Sequence, residues 1–201
     1  MLELETPHGP ARAHLQPVDE PVAALVLGHG AGGGIESPDL VGAAKAARAA
    51  GLSVALVEQP YRVAGRRSPA PAGQLDTAWA AVVSQLRDGP LAGLPILTGG
   101  RSAGARVACR TAAETASVAV VCLAFPLHPP GRPEKSRLAE LEGVQLATLV
   151  VQGEKDPFGI PPEGPSRTVT LIPGTHSLRS AAAVEAAVSA WLANQAAIRS
   201  G

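Results

Sequence analysis

A serine at the apex of a strand, a tight turn and a helix is the first place in this chain where chemistry could happen. The stretch Gly99-Gly100-Arg101-Ser102-Ala103-Gly104 follows the apolar run Leu94-Pro95-Ile96-Leu97-Thr98. It leads into the helix-prone Ala105-Arg106-Val107-Ala108-Cys109-Arg110. This is the G-x-S-x-G pattern of a nucleophile elbow. Such a turn exposes a hydroxyl above a sheet and aims a helix N-terminus at it. A short motif in a Gly-rich chain also arises by chance, so its meaning depends on partners elsewhere.

A serine hydroxyl is a weak nucleophile. It needs a base to take its proton, usually a histidine held in place by a carboxylate. In open parallel sheets, sites form at the carboxyl ends of strands. The chain has five histidines. His8 and His14 lie in the N-terminal segment, and His29 sits in a Gly-rich turn ahead of the elbow. His128 follows the run Val118–Leu123 in a Pro-rich loop. His176, in Ile172-Pro173-Gly174-Thr175-His176-Ser177, follows the last strand-like run and precedes the last helix, which is the position of the general base. The acid is expected between serine and base. Asp156 fits, in the turn Gly153-Glu154-Lys155-Asp156-Pro157 that leaves the run Leu149-Val150-Val151-Gln152. An Asp before Pro is also a common turn-capping residue, and Glu154 is the substitute if Asp156 points away. After Val118–Leu123 no carboxylate comes before Glu134, which removes the other common place for the acid.

The third requirement is a pair of N–H groups aimed at the developing oxyanion. The amide of Ala103, immediately after the serine, is one. Gly28-His29-Gly30-Ala31-Gly32-Gly33-Gly34 can supply the other, with Ala31 favoured and Gly32 as its neighbour. A Gly-rich loop between strand and helix is also a phosphate-binding signature, but this one lacks the Gly-Lys-Ser/Thr ending of a P-loop. Glu58 comes about thirty residues after the loop begins, against about twenty for the acid of a dinucleotide site. A nucleotide site would also leave the serine, acid and histidine unexplained.

These residues need a scaffold, and the apolar pattern describes one. Runs at Val22–Leu27, Leu52–Val57, Leu94–Thr98, Val118–Leu123, Ala147–Val151 and Arg167–Ile172 read as strands, most of them separated by a helix. Such runs imply a parallel sheet covered on both faces. Leu2–Glu5 and Ala11–Leu15 are candidates for an antiparallel edge pair. Helices are expected from Ser37 (N-cap) and Pro38 to Gly51, and along Leu75, Ala78, Trp79, Val82, Val83 and Leu86. Further helices are expected from Ala103 to about Thr115, around Glu134–Leu141, and through Val184, Val188, Trp191 and Leu192. The stretch from Gln59 to about Gly73, with Arg62, Arg66 and Arg67, reads as a solvated loop. His128 and Tyr61-Arg62 are candidates for the pocket mouth. The 201 residues are expected to form one domain, 1–201.

Composition narrows the function. Apolar residues are 46% and charged residues 17%, as in a globular protein. Aromatics are only 2%, which disfavours base stacking. Lys+Arg and Asp+Glu are equal at 17 each, so charge offers no argument for nucleic acid or an anionic membrane. Cys109 and Cys122 lie in apolar surroundings without metal-ligand spacing and read as buried small hydrophobes. The N-terminus has no signal-peptide pattern and no apolar run spans a bilayer, so a cytoplasmic protein is the default. Two competing readings are a fold that serves as a catalytically silent binding or scaffold protein, and a nucleotide binder.

The stretches LGHGAGG, GGRSAGAR, AFPLHPPG, VVQGEKDPFG and IPGTHSL resemble the α/β-hydrolase superfamily along nearly the whole chain. Within it, the sequence is similar to the short, capless predicted hydrolases related to the dienelactone hydrolases and to the KANSL/testis-expressed hydrolase-like proteins. The family order Ser, Asp, His is matched by Ser102, Asp156 and His176. The resemblance implies a mostly parallel sheet of about six to eight strands with helices on both faces. It implies hydrolysis of a small-molecule ester, thioester or amide through an acyl-enzyme on Ser102, with no metal and no organic cofactor. Larger relatives carry a lid between the Val118–Leu123 and Ala147–Val151 strands. The short segment here implies an open site suited to small or surface-presented substrates.

Overall fold

The structure is a computed structural model that describes residues 1–195. Eight strands form one sheet: β1 (Leu2–Leu4), β2 (Ala11–Gln16), β3 (Ala23–Gly28), β4 (Leu52–Glu58), β5 (Ile96–Arg101), β6 (Ala119–Leu123), β7 (Ala147–Gly153) and β8 (Arg167–Ile172). Their spatial order is β1-β2-β4-β3-β5-β6-β7-β8. All pairs from β4 through β8 are parallel. The expected edge pair is present, with β1 antiparallel to β2 and β2 antiparallel to β4. The inner strands read as unbroken apolar runs because both faces are covered. Every residue of β3 and β6 is buried.

The helices are α1 (Pro38–Ala49), α2 (Pro60–Val63), α3 (Ala72–Asp88), α4 (Ala103–Thr111), α5 (Leu138–Glu142) and α6 (Ala181–Ala193). On one face Leu40, Ala43 and Ala47 of α1 pack with Val184, Val188 and Trp191 of α6 over Leu25, Leu27 and Val121. On the other face Trp79, Val82, Val83 and Leu86 of α3 cover Val26, Ala55 and Ile96. Beside them Ala105, Ala108 and Cys109 of α4 cover Val120 and Cys122. Cys109 and Cys122 are buried free thiols, 3.5 Å apart.

Local departures from the sequence reading have identifiable causes. Ser37 precedes α1, but its side chain makes no cap bond; Asp39 accepts the Leu40 N–H instead. The Gln59–Gly73 stretch is not wholly loop, because Pro60 starts the short helix α2. The elbow helix stops at Thr111, and the chain reverses at Ala116, which has φ +42°. The Glu134–Leu141 helix begins only at Leu138, because Arg137 is tied back: its N–H donates to Leu127 O and its guanidinium to Pro126 O. Between β6 and β7 the segment 124–146 carries no helix but α5, so no lid covers the sheet.

From β3 the chain crosses to β4 on one side, then returns to β5 on the other. The carboxyl ends of β3 and β5 therefore flank a topological switch point, where a crevice opens above an α/β sheet. The Gly28 loop and Ser102 lie at those two ends.

Candidate active site

Ser102 joins β5 to α4 with φ 52° and ψ −106°. A non-glycine residue in such a region costs about 1–3 kcal/mol and persists only when its surroundings hold it. Here the Ser102 N–H donates to the Leu123 carbonyl at the end of β6, 2.9 Å away. The turn is tight because its glycines allow it. A methyl on Gly104 would strike the carbonyls of Gly28 and His29, and one on Gly100 would strike the Gly28 carbonyl. The elbow thus packs directly on the first residues of the Gly-rich loop.

The structure brings Ser102, His176 and Asp156 together from three strand ends. Ser102 Oγ lies 2.9 Å from His176 Nε2, and His176 Nδ1 lies 2.8 Å from Asp156 Oδ2. A carboxylate only accepts, so Nδ1 carries the proton and Nε2 presents its lone pair to the serine hydroxyl. Asp156 has a fully buried side chain, and that of His176 is 13% exposed. Both functions weighed for Asp156 are present: Oδ2 faces His176, while Oδ1 accepts the Phe158 N–H at 2.8 Å and closes the turn. Glu154 is exposed and plays no part. Ser102, His176 and Asp156 form a spatial triad consistent with a serine-hydrolase acyl-enzyme mechanism.

A family profile described as an alpha/beta hydrolase domain matches residues 21–183. The chain belongs to the alpha/beta hydrolase domain family. Among solved structures it is similar to XC6422 from Xanthomonas campestris, described as an a/b serine hydrolase without lid. The two share 20% identity, with 96% of this chain and 92% of that one covered, at TM-score 0.74. It is similar to Est1E from Butyrivibrio proteoclasticus, solved with ferulic acid bound (17% identity, 98% and 100% covered, TM-score 0.78). It is also similar to a dienelactone hydrolase from Anabaena variabilis (20% identity, 96% and 95% covered, TM-score 0.75). At these identities the likeness is one of fold, an α/β-hydrolase fold without a lid. No curated protein matches the sequence.

The Gly-rich loop after β3 is fixed by two side chains. His29 is buried, with Nδ1–H donating to Gly30 O at 2.8 Å and Nε2 accepting the Gln59 N–H at 3.1 Å. Gly30 O also accepts from the Gly33 N–H. Because the peptide is trans, these bonds turn the N–H of Ala31 to the opposite side. The Tyr61 hydroxyl donates to Ala31 O at 3.1 Å and holds the next peptide. Among the described residues, the Ala31 and Ala103 amides donate to no acceptor. Burial lowers the pKa of His29, helped by the Arg62 charge, so the ring stays neutral. Burial also raises the pKa of Tyr61, which keeps its hydroxyl a donor.

The remaining candidates take no part in the triad itself. His128 packs its ring against Gly159 and bonds Pro129 O through Nδ1. His14 pairs with Glu58, and His8 with Thr77. Tyr61 is buried behind the loop. Among the described residues no group of three or more His, Cys, Asp or Glu could hold a metal, and no helix is long and apolar enough to cross a membrane.

Two residues around the triad escape sequence reasoning. Gln152 is fully buried, and its amide nitrogen faces three acceptors: Asp156 Oδ2 at 2.8 Å, Gly159 O at 2.9 Å and Phe125 O at 3.0 Å. With two hydrogens for three acceptors, the amide orientation is forced. The Phe158 ring lies 4.1 Å from that of His176 at a 30° tilt, limiting its rotation. Both stand in the stretch VVQGEKDPFG, but nothing in it says what their side chains touch; the one further signal is a polar residue at the end of the apolar run into the acid turn.

Proposed function

We propose that the chain is a lidless serine ester hydrolase in which Ser102 is the nucleophile, His176 the general base and then acid, and Asp156 the residue that orients His176. The amides of Ala31 and Ala103 are the oxyanion donors. The observation that carries this reading is the unbroken contact from Ser102 Oγ through His176 to Asp156, at 2.9 and 2.8 Å, on a serine whose backbone is held off the ordinary regions.

As Ser102 Oγ bonds to the acyl carbon, its proton passes to His176 Nε2. The carbonyl electron pair moves onto oxygen, which the two amides stabilise; each such donor is worth about 2.7–4 kcal/mol. Collapse breaks the bond to the leaving group, which departs with the proton from Nε2. Water then attacks the acyl-Ser102 by the same proton path, releasing the acid and the free enzyme.

The substrate is a small-molecule ester, thioester or amide. An open site has no wall to enclose a long chain, and likeness to Est1E, with its bound ferulic acid, supports a compact carboxylic acid as the acyl part. We assign the chain to the short, capless branch allied to dienelactone hydrolases and KANSL/testis-expressed hydrolase-like proteins. The segment 124–146 and the likeness to the Anabaena variabilis enzyme support this. We read residues 1–201 as one domain, supported by a single sheet that draws on the chain from Leu2 to Ile172; residues 196–201 lie outside the described part. A cytoplasmic location fits the adjacent free thiols of Cys109 and Cys122, and cell fractionation checks it.

The test is a series of p-nitrophenyl esters from acetate to laurate. Wild type should hydrolyse them with kcat/KM highest for the shortest acyl groups, and Ser102→Ala should hydrolyse none above background. Preference for laurate would sink the small-acyl reading, and absence of any serine-dependent hydrolysis would sink the enzyme.

A further inference from the structure

We propose that Arg101 is a positioning residue: its guanidinium, anchored on buried Asp39, holds the backbone of His176 in place beside Ser102. The inference builds on the serine-hydrolase reading and adds a residue to it.

Arg101 is the last residue of β5 and is covalently joined to Ser102. Its side chain is 18% exposed, and that of Asp39 is 0% exposed. Arg101 Nε–H donates to Asp39 Oδ2 at 3.2 Å, and Nη2–H donates to the His176 carbonyl at 3.1 Å. The same side chain packs against Gly30, where a Cβ would meet Nη1 and Cδ. One side chain therefore touches the first turn of α1, the Gly-rich loop and the loop that carries the histidine. A guanidinium serves two acceptors in fixed directions, which an ammonium does not.

Stability alone does not account for this pair. A buried ion pair generally contributes no more than an apolar pair of similar volume. Asp39 is already committed at its other oxygen to the Leu40 N–H. What the pair adds, and an apolar pair cannot, is a directed N–H to the His176 carbonyl. That carbonyl accepts from no other described residue, and its loop is otherwise held by the Lys155 N–H on Gly174 O and the Leu178 N–H on Thr175 O. Thr175 and Ser177 on either side of His176 are exposed. Among the described residues, Arg101 is the one side chain that bonds the His176 backbone. Through it, base and nucleophile are referenced to one residue.

The test uses the double variant Asp39→Leu/Arg101→Met, which removes the pair without orphaning a buried carboxylate, and Arg101→Lys as the conservative partner. Arg110→Met is the control, because the Arg110–Asp76 pair clamps α4 to α3 without touching the His176 loop. Active sites are titrated with a fluorophosphonate, and kcat and KM for p-nitrophenyl acetate are expressed per titrated site. The double variant should lose about 10²-fold in kcat with KM within about threefold, while Arg101→Lys keeps part of the lost rate. Arg110→Met should lower the melting temperature with kcat per site unchanged.

Proton NMR reads the position of the base without turnover. The His176 Nδ1–H signal should shift or broaden in the double variant and stay put in Arg110→Met. Wild-type kcat per site together with an unmoved Nδ1–H signal in the folded double variant would overturn the role of Arg101. A wild-type protein that fails to label at Ser102 would overturn the hydrolase reading instead, and the NMR comparison would still decide the positioning.

Discussion

At Asp156 a carboxylate with no exposed side-chain surface accepts from His176, Gln152 and the Phe158 amide. Three donors make burial of the charge tolerable and leave the imidazole one orientation. Gln152 therefore matters more than its neutral side chain suggests. Gln152→Leu should lower kcat about tenfold through a loosened acid. It should also cost about 1–3 kcal/mol of stability, because Asp156, Gly159 O and Phe125 O lose their shared donor. Steady-state kinetics and urea denaturation check the two numbers. The triad members themselves were legible in the sequence, since each stands just past an apolar run. Gln152 was not, because Phe125 O and Gly159 O reach it only once β6 and the acid turn are folded beside β7.

At the scale of elements, the elbow and the Gly-rich loop are one packed unit. Gly104 of α4 lies where any side chain would push against the Gly28 and His29 carbonyls. Gly104→Ala should cost about 1–3 kcal/mol as overpacking, and should also displace the Ala31 amide. We expect kcat to fall by more than the unfolded fraction explains, with the surviving folded protein measured by active-site titration; a variant of wild-type kcat per site would show that loop and elbow move independently. The strands were readable because unbroken Val/Leu/Ile runs leave no other placement in a two-faced sheet. The helix ends were not. The start of α5 is set by Arg137 donating to Leu127 O and Pro126 O, contacts across a loop that no local pattern encodes.

At the scale of the whole molecule, acid should loosen the fold through His29. Its pKa is lowered by burial, and its Nε2 lone pair is engaged by the Gln59 N–H. The unfolded chain takes up this proton near the ordinary value of about 6.5, while the folded ring does so only at lower pH. Where the unfolded state binds more protons, stability falls as pH falls. The stability that neutral His29 confers is thus present above pH about 6.5 and is lost progressively below it. Melting curves from pH 7.5 to 5 should show a fall for wild type, and a shallower one for His29→Gln, which keeps an acceptor for Gln59 but does not titrate. Equal slopes would show that His29 does not set the acid sensitivity of the fold. The crevice where all of this converges follows from strand order alone, with β3 between β4 and β5. Which loops would fill it was not readable, because pocket walls depend on how distant segments pack. If Ser102 is an activated nucleophile, mass spectrometry after fluorophosphonate treatment should find a single adduct on Ser102 in the wild type and none in Ser102→Ala, with labelling slowed severely in His176→Ala. Unlabelled wild type, or an adduct that forms equally fast without His176, would contradict that activation.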